Sequence, residues 1–560
     1  MRYLSLLFFL STATCWTQEE ISCLKMEGVA PDQIVADRLL LSSLQGIVLV
    51  GKQELLLNKN SLSHQEAVEV VGLNIPTSLA ALSERLSPYL HLPVNSDTIA
   101  QIRQEIHAYY KENFYPLVIV EVPNQDISHN VLQFLVRESR MGCLSVVNEQ
   151  WTNPSLLMKY ADLPYGEPIN EQKLIQDVDF MNRNPFRRVS AIFAAGEEPY
   201  TTDVILYTED RRRGRIYSGV DNTGIPTTGR ERWYIGFNWG YAFWADQLLA
   251  YQYTASYDVH KLQSHTAQYQ IFFPWKEVLN LYGGYSTIHP TVPDASGTNG
   301  YSAQASLRYT VPLSMSQALR QEISFGGDFK RTNNTFLSTE EGMFGQTVNL
   351  TQLALKYAGN YEKSDYHINF DVESYWSPGQ WLPDQTGADF ASLRPDAKNH
   401  WVYVRAALSY LKLFDLGVWF SGQIRTQLAS NCLLPSEQLG LGGYDSVRGY
   451  DERQESMDSG VIVNLEFRSP KLPIFGRGKA KKTMPDGLQF LAFLDFGAGR
   501  DHNAVPDNDK RQFLIGVGPG VRYTLDPYLA FRLDWGFKLH NKEDYSAGTN
   551  KLHFSLTGSY

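Results

Sequence analysis

The stretch Leu488-Gln489-Phe490-Leu491-Ala492-Phe493-Leu494-Asp495-Phe496 decides the fold. Leu488, Phe490, Ala492, Leu494 and Phe496 are apolar at every second position, and side chains two apart share one face of a strand. The period recurs at Trp233–Ile235–Phe237–Trp239, Ile323–Phe325–Gly327–Phe329 and Tyr366–Ile368–Phe370–Val372. It returns at Val461–Val463–Leu465–Phe467 and Leu529–Phe531–Leu533–Trp535–Phe537. Tyr234, Gly236, Asn238 and Gly240, or Glu322, Ser324, Gly326 and Asp328, fill the positions between. One apolar and one small or polar face suits a strand between lipid and a wet lumen. A soluble sandwich would alternate in the same way, so strand number and loop length must discriminate.

About sixteen strands fit between Arg215 and Tyr560, with spacing suited to tilted strands of ~9–11 membrane-crossing residues. Their connections alternate in length. Those at Phe414-Asp415 and Pro274-Trp275 are tight, whereas 378–398, 428–459 and 501–510 are long and rich in Gly, Pro and Asp. Short turns on one side and long loops on the other mark outer-membrane barrels. The run 471–487 breaks the alternation. Closure would remove the edges that so many strands otherwise expose. Residues 211–560 are therefore expected to form a 16-stranded antiparallel transmembrane β-barrel, with the strand number an approximate count. Tyr241, Phe243, Trp244, Trp275, Trp376 and Trp381 lie near strand ends, where aromatic girdles sit.

Composition agrees. Hydrophobic residues are 43% and charged residues 20% of the 560, too apolar overall for a disordered chain. A mean hydropathy of -0.29 is too polar for a helical membrane protein. Four cysteines exclude a disulfide scaffold, and Cys23, Cys143 and Cys432 show no metal-ligand spacing. A net charge of -10 argues against nucleic acid as a partner. Met1-Arg2 followed by apolar residues 3–10 and small residues 11–14 reads as a signal peptide, assigned to 1–18. Cys15 raises a lipidated N-terminus as the alternative. Residues 19–43 show no clear pattern, and whether they hold a plug helix stays open.

The first third contains one pattern twice. Strand 46–50, helices 78–90 and 98–113 with Asp97 as N-cap, and strands 115–122 and 131–138 form the first copy. Strand 143–147, helices 155–161 and 170–182, and strands 188–194 and 202–207 form the second. Each is a β-α-α-β-β unit, placed at 44–140 and 141–210. Such units offer sheet edges to which an extended peptide can add.

Leu441-Gly442-Gly443-Tyr444-Asp445-Ser446-Val447-Arg448-Gly449-Tyr450 and Phe493-Leu494-Asp495-Phe496-Gly497-Ala498-Gly499 carry a more specific signal. They resemble the VRGY loop motif and its matching strand motif in the outer-membrane insertase and two-partner-secretion superfamily. Within it the chain resembles the TpsB translocators of the haemolysin-activator type. Met181-Asn182-Arg183-Asn184-Pro185-Phe186-Arg187-Arg188-Val189 with Thr201-Thr202-Asp203-Val204 resembles the end of that family's second POTRA domain. Val122-Pro123-Asn124-Gln125-Asp126 resembles part of its first POTRA domain. Asp221-Asn222-Thr223-Gly224 with Thr228-Gly229-Arg230 resembles the opening of its barrel. The likeness runs over residues 44–560, and the long loop falls where the family's sixth extracellular loop lies. Tyr560 stands where Phe is commoner.

The resemblance implies an outer membrane of the Gram-negative type, with the two POTRA domains in the periplasm. It implies a secreted, TpsA-like exoprotein as client, bound by the POTRA domains, with haemolysin secretion or activation as one form. Lipid and the barrel assembly machinery are the other implied partners. An insertase of other barrels is the alternative. No catalytic residue, metal or cofactor is expected. It further implies that Val447, Arg448, Gly449 and Tyr450 fold into the lumen and meet Phe493, Asp495 and Gly497. Arg448 would pair with Asp495, which faces inward because Leu494 and Phe496 face lipid. A guanidinium can grip a carboxylate bidentately and so fix a loop's orientation. The basic runs Arg211-Arg212-Arg213 and Lys479–Lys482 are expected to be solvated periplasmic patches.

Overall fold

The computed structural model describes residues 39–57, 67–147, 150–289, 300–313, 318–333, 347–474, 485–503, 510–541 and 546–560. The expected leader, most of the segment 19–43 and Lys479–Lys482 lie outside them. The described residues form two compact units that meet in sequence at Arg211 and Arg212.

The first unit holds two sheets with helices. Gly46–Val50 is buried along its whole length. It runs parallel to Val131–Glu138 on one side and to Val68–Val71 on the other. Val118–Glu121 completes the sheet antiparallel to Val131–Glu138. Val68–Val71 goes beyond the expected unit, because a strand of four residues carries too little periodicity to register. Two helices, Leu79–Leu86 and Ser96–Glu112, precede Val118–Glu121 in the chain. The helix expected to reach residue 90 ends at Leu86, and a 3-10 turn takes Ser87–Tyr89, where Pro88 cannot donate. Asn95, not Asp97, caps the second helix: its Oδ1 accepts from Thr98 N at 2.8 Å. Asp97 sits in the first turn, where its charge suits the helix dipole.

The second sheet orders Arg140–Val147, Thr201–Asp210 and Arg187–Ala195. The first two run parallel and the last antiparallel. Helices Pro154–Tyr160 and Glu171–Met181 lie between in sequence, the latter capped by Asn170. Asp210, at the end of its strand, accepts the backbone N–H groups of Gln150, Trp151 and Thr152 at 2.9, 2.6 and 2.9 Å.

The second unit is a closed, antiparallel barrel of 16 strands, from Gly214–Asp221 to Asn550–Ser559. The last strand pairs with the first from Ser555↔Asp221 to Ser559↔Tyr217. Tyr560 adds reciprocal backbone bonds to Ile216, and Arg212 lies 4.7 Å over its ring. Alternation sets the faces. On the thirteenth strand, Asp486–Arg500, Phe490 and Leu494 are 51% and 45% exposed while Asp495 is fully buried. Ile235, Phe237 and Trp239 likewise point outward. Phe243, Trp275, Trp376 and Trp381 are exposed, as a girdle needs, but Tyr241 turns inward beneath Arg213.

Residues 414–418 join the tenth strand, His400–Leu413, to the eleventh, Trp419–Ala429, in a tight turn. The loop 379–399 carries a helix, Gly387–Leu393, with a capping box between Thr386 and Asp389. The loop 430–458, between the eleventh strand and the twelfth, Ser459–Arg468, is the longest and contains a short hairpin, Leu439–Leu441 with Glu455–Met457.

Candidate functional site: a loop docked in the barrel lumen

Loop 430–458, hereafter loop 6, lays its tip on the inner wall. Three features of the sequence allow this. Gly449 takes φ 100°, open to glycine at little cost. The wall beneath is glycine too: a Cβ on Gly516 would sit 2.0 Å from the Arg448 carbonyl oxygen, and one on Gly536 2.3 Å from the Gly449 nitrogen. Leu441, Val447, Tyr450 and Met457 then pack with Ile462 and Leu514 of the wall.

Arg448 is 2% exposed, and its charge is matched on every side. Nε and Nη2 donate to the two oxygens of Asp495 at 2.7 and 2.8 Å, and its backbone N–H adds a bond of 3.1 Å. Nη1 donates to Glu466 at 2.6 Å and lies 3.5 Å from Asp534. The guanidinium stacks 3.6 Å over the Phe493 ring. Burial disfavours the charge of Arg448, but Asp495, Glu466 and Asp534 outweigh it and raise its pKa. Asp495 also accepts from Asn464 Nδ2, its neighbour in the ladder, at 2.7 Å.

A wider network surrounds this contact. Asp534, on the fifteenth strand Leu529–Lys538, is shared with Arg522 and Arg532 at 2.7 Å each. Arg532 reaches back to Asp445 of the loop at 3.2 Å and stacks 3.6 Å over Tyr444. Along the sixteenth strand, Asp451 meets Lys551 at 2.5 Å, Gly449 N–H donates to His553 Nε2 at 3.0 Å, and Tyr444 Oη lies 2.8 Å from Ser555 Oγ. Burial pushes the Asp451 carboxyl up, but Lys551 and Arg230 hold it below its ordinary value.

Val447 and Arg448 meet Gly497, Asp495 and Phe493, whereas Gly449 and Tyr450 reach past them to His553 and Ile515. Val447 fits over Gly497, and Tyr450 Oη donates to the carbonyl of Ile515 at 3.1 Å. Glu466, Asp534, Arg522, Arg532 and His553 were not foreseen. The signal existed: each lies on the inward parity of its strand, where a charged side chain needs a partner.

A family model described as "Haemolysin secretion/activation protein ShlB/FhaC/HecB" matches residues 201–523. The chain belongs to this family. It is 23% identical over 474 residues to the outer membrane transporter CdiB of Dickeya dadantii, covering 77% of this chain and 75% of that protein. It is 21% identical over 445 residues to the heme/hemopexin transporter protein HuxB of Haemophilus influenzae, covering 75% and 73%. Among solved structures, CdiB from Escherichia coli superposes with TM-score 0.75 at 15% identity, covering 95% of this chain and 93% of the other. CdiB from Acinetobacter baumannii gives 0.69 at 18%, covering 94% and 91%. The chain is thus a transporter of the two-partner secretion type, set in the outer membrane with its POTRA domains in the periplasm.

Proposed function

We propose that this protein captures an unfolded exoprotein with its POTRA domains and exports it through the barrel, with loop 6 closing the channel at rest. Arg448 on Asp495 is the contact that carries the reading: a buried, bidentate ion pair at the tip of a loop lying in the conduit. Removing one partner of such a pair strands the other, a cost of roughly 3–5 kcal/mol, so the loop has a defined resting place.

The domains are assigned as a leader over 1–18, an N-terminal segment 19–43, POTRA domains at 44–140 and 141–210, and the barrel from 211. Edge strands support capture. Val68–Val71 and Val118–Glu121 border the first sheet, and Arg140–Val147 and Arg187–Ala195 the second. An extended client can add to such an edge through backbone hydrogen bonds, which suits a long and varied sequence. The barrel assembly machinery inserts the chain. Folding of the client outside the cell drives transport, and the chain performs no catalysis.

Deleting the chain and comparing secreted with outer-membrane proteins tests this. Loss of one secreted protein is expected. Depletion of many outer-membrane proteins would instead identify an assembly factor.

A further inference from the structure

Charge is spread unevenly around the lumen wall. On the third strand, Gln247–Ser256, Tyr251 pairs with the outward Phe237, so Gln252 and the other even positions face inward. The even positions face inward on the fourth strand, Leu262–Phe272, and the fifth, Val278–Ile288, too, where Leu281 and Tyr285 point outward. Amides, hydroxyls, glycine and apolar residues fill these inward positions, and none of them is charged. Every other strand turns at least one charged residue inward, as Asp221 does on the first, Arg308 on the sixth and Lys356 on the eighth.

The neutral positions form continuous rows. Gln252 pairs with Thr266, Thr266 with Gly284, and Gly284 with Gln304 of the sixth strand, Gly300–Pro312. The next row runs through Ala250, Gln268, Tyr282 and Ser306. Neutral bonds link the rows: Gln252 Nε2 donates to Thr254 Oγ1 at 2.9 Å, and Gln304 Nε2 to Ser306 Oγ at 2.8 Å. Gln252, Thr266, Gln268 and Asn280 stay part-exposed.

Loop 6 is bonded to the charged part of the wall. It reaches Lys330 on the seventh strand, Tyr403 and Arg405 on the tenth, and strands eleven to sixteen. There Asp495, Asp534 and His553 are fully buried. Charge is concentrated where a loop is held, and absent where the inward side chains stay part-exposed.

An unfolded client carries charges of both signs. A hydrogen bond to an ionised group is roughly twice as strong as a neutral one, so a charged wall would hold some client segments and repel others. Amides and hydroxyls offer both donors and acceptors to any peptide backbone, and such bonds exchange with water at small net cost.

We propose that the client crosses the barrel along the neutral wall of strands three to five, as an extended polypeptide passed between amides and hydroxyls. This rests on the export reading above.

The test uses the full chain in cells making the secreted protein that deletion of the chain removes. A benzophenone amino acid replaces Gln268 on the neutral wall or, as comparator, Gln423, an inward amide of the eleventh strand. At equal amounts of inserted barrel, illumination during secretion is expected to give at least about five-fold more client adduct at Gln268 than at Gln423. Equal adducts, or more at Gln423, overturn the proposal and leave export standing. Gln252→Glu combined with Gln268→Glu adds charge without bulk. The pair is expected to slow secretion at least about five-fold, while Gln423→Glu stays within about two-fold of the parent. Parent-like secretion by the pair, or equal slowing by Gln423→Glu, also overturns the proposal. Heat-modifiable migration reports that each variant holds a folded barrel. If deletion removes no secreted protein, the export reading fails and this proposal fails with it.

Discussion

Arg448 lies 3.6 Å over the centre of the Phe493 ring while gripping Asp495, two residues further along the same strand. Ring and carboxylate share the inner face because they are two apart, so one strand presents both a seat and a clamp. A buried guanidinium over an aromatic face contributes about 0.5–2 kcal/mol. Phe493→Leu keeps the apolar bulk and removes the quadrupole. It is expected to raise the open fraction of the channel about five-fold in bilayer recordings, corresponding to about 1 kcal/mol.

Gly516→Ala tests the close approach. A methyl there would stand 2.0 Å from the Arg448 carbonyl oxygen, which is backbone and cannot rotate away. The tip is expected to lift, exposing Ser446→Cys to a water-soluble maleimide that labels it poorly in the parent. The barrel should keep its heat-modifiable migration, since Gly516 continues its ladder with Asp495 unchanged.

The external loops carry a pH dependence. Arg394 binds Asp458 and, at 3.1 Å, Asp501, and Asp458 N–H donates to Asp501 at 3.0 Å. Burial pushes the Asp501 carboxyl up, Arg394 pulls it down and Asp458 pushes again, leaving it at about 6. The folded state therefore holds the proton more tightly than the unfolded one, and stability falls as pH rises from about 4 to about 6. Asp501→Asn is neutral throughout. It is expected to exceed the parent by on the order of 1–3 kcal/mol at pH 7.5 in urea titrations, with the gap closing at pH 4.5.

Asp210 shifts the other way. Burial alone would raise its carboxyl. Thr152 Oγ1 at 2.5 Å and the N–H groups of Trp151, Thr152 and Gln150 hold it below the usual range. Its contribution is full above the unfolded pKa of about 3.9 and is lost as pH falls through the lower folded value. Asp210→Asn is expected to destabilise the second POTRA domain by about 1–3 kcal/mol at neutral pH, read from urea unfolding by the fluorescence of Trp151.

The barrel was legible because lipid favours an apolar residue at every second position, and the outward row Leu488, Phe490, Ala492, Leu494 and Phe496 is apolar throughout. Asp495 could be placed inward for the same reason. Val68–Val71 was missed because four residues do not establish a period, and Asn95 because two cap-forming residues stood two apart. The partners of Arg448 beyond Asp495 were missed for a different reason. Glu466, Asp534 and His553 are brought together only by closure and stagger of the ring, which strand-by-strand alternation does not encode.

The central claim is that Arg448 and Asp495 act as one contact in export. Secretion of the client by Arg448→Ala, Asp495→Ala and the double variant, at equal amounts of inserted barrel, measures it directly. Each single variant should impair secretion, and the double should be no worse than the more severe single, the signature of a shared interaction. Wild-type secretion by either single variant, or losses that simply add in the double, would contradict the account.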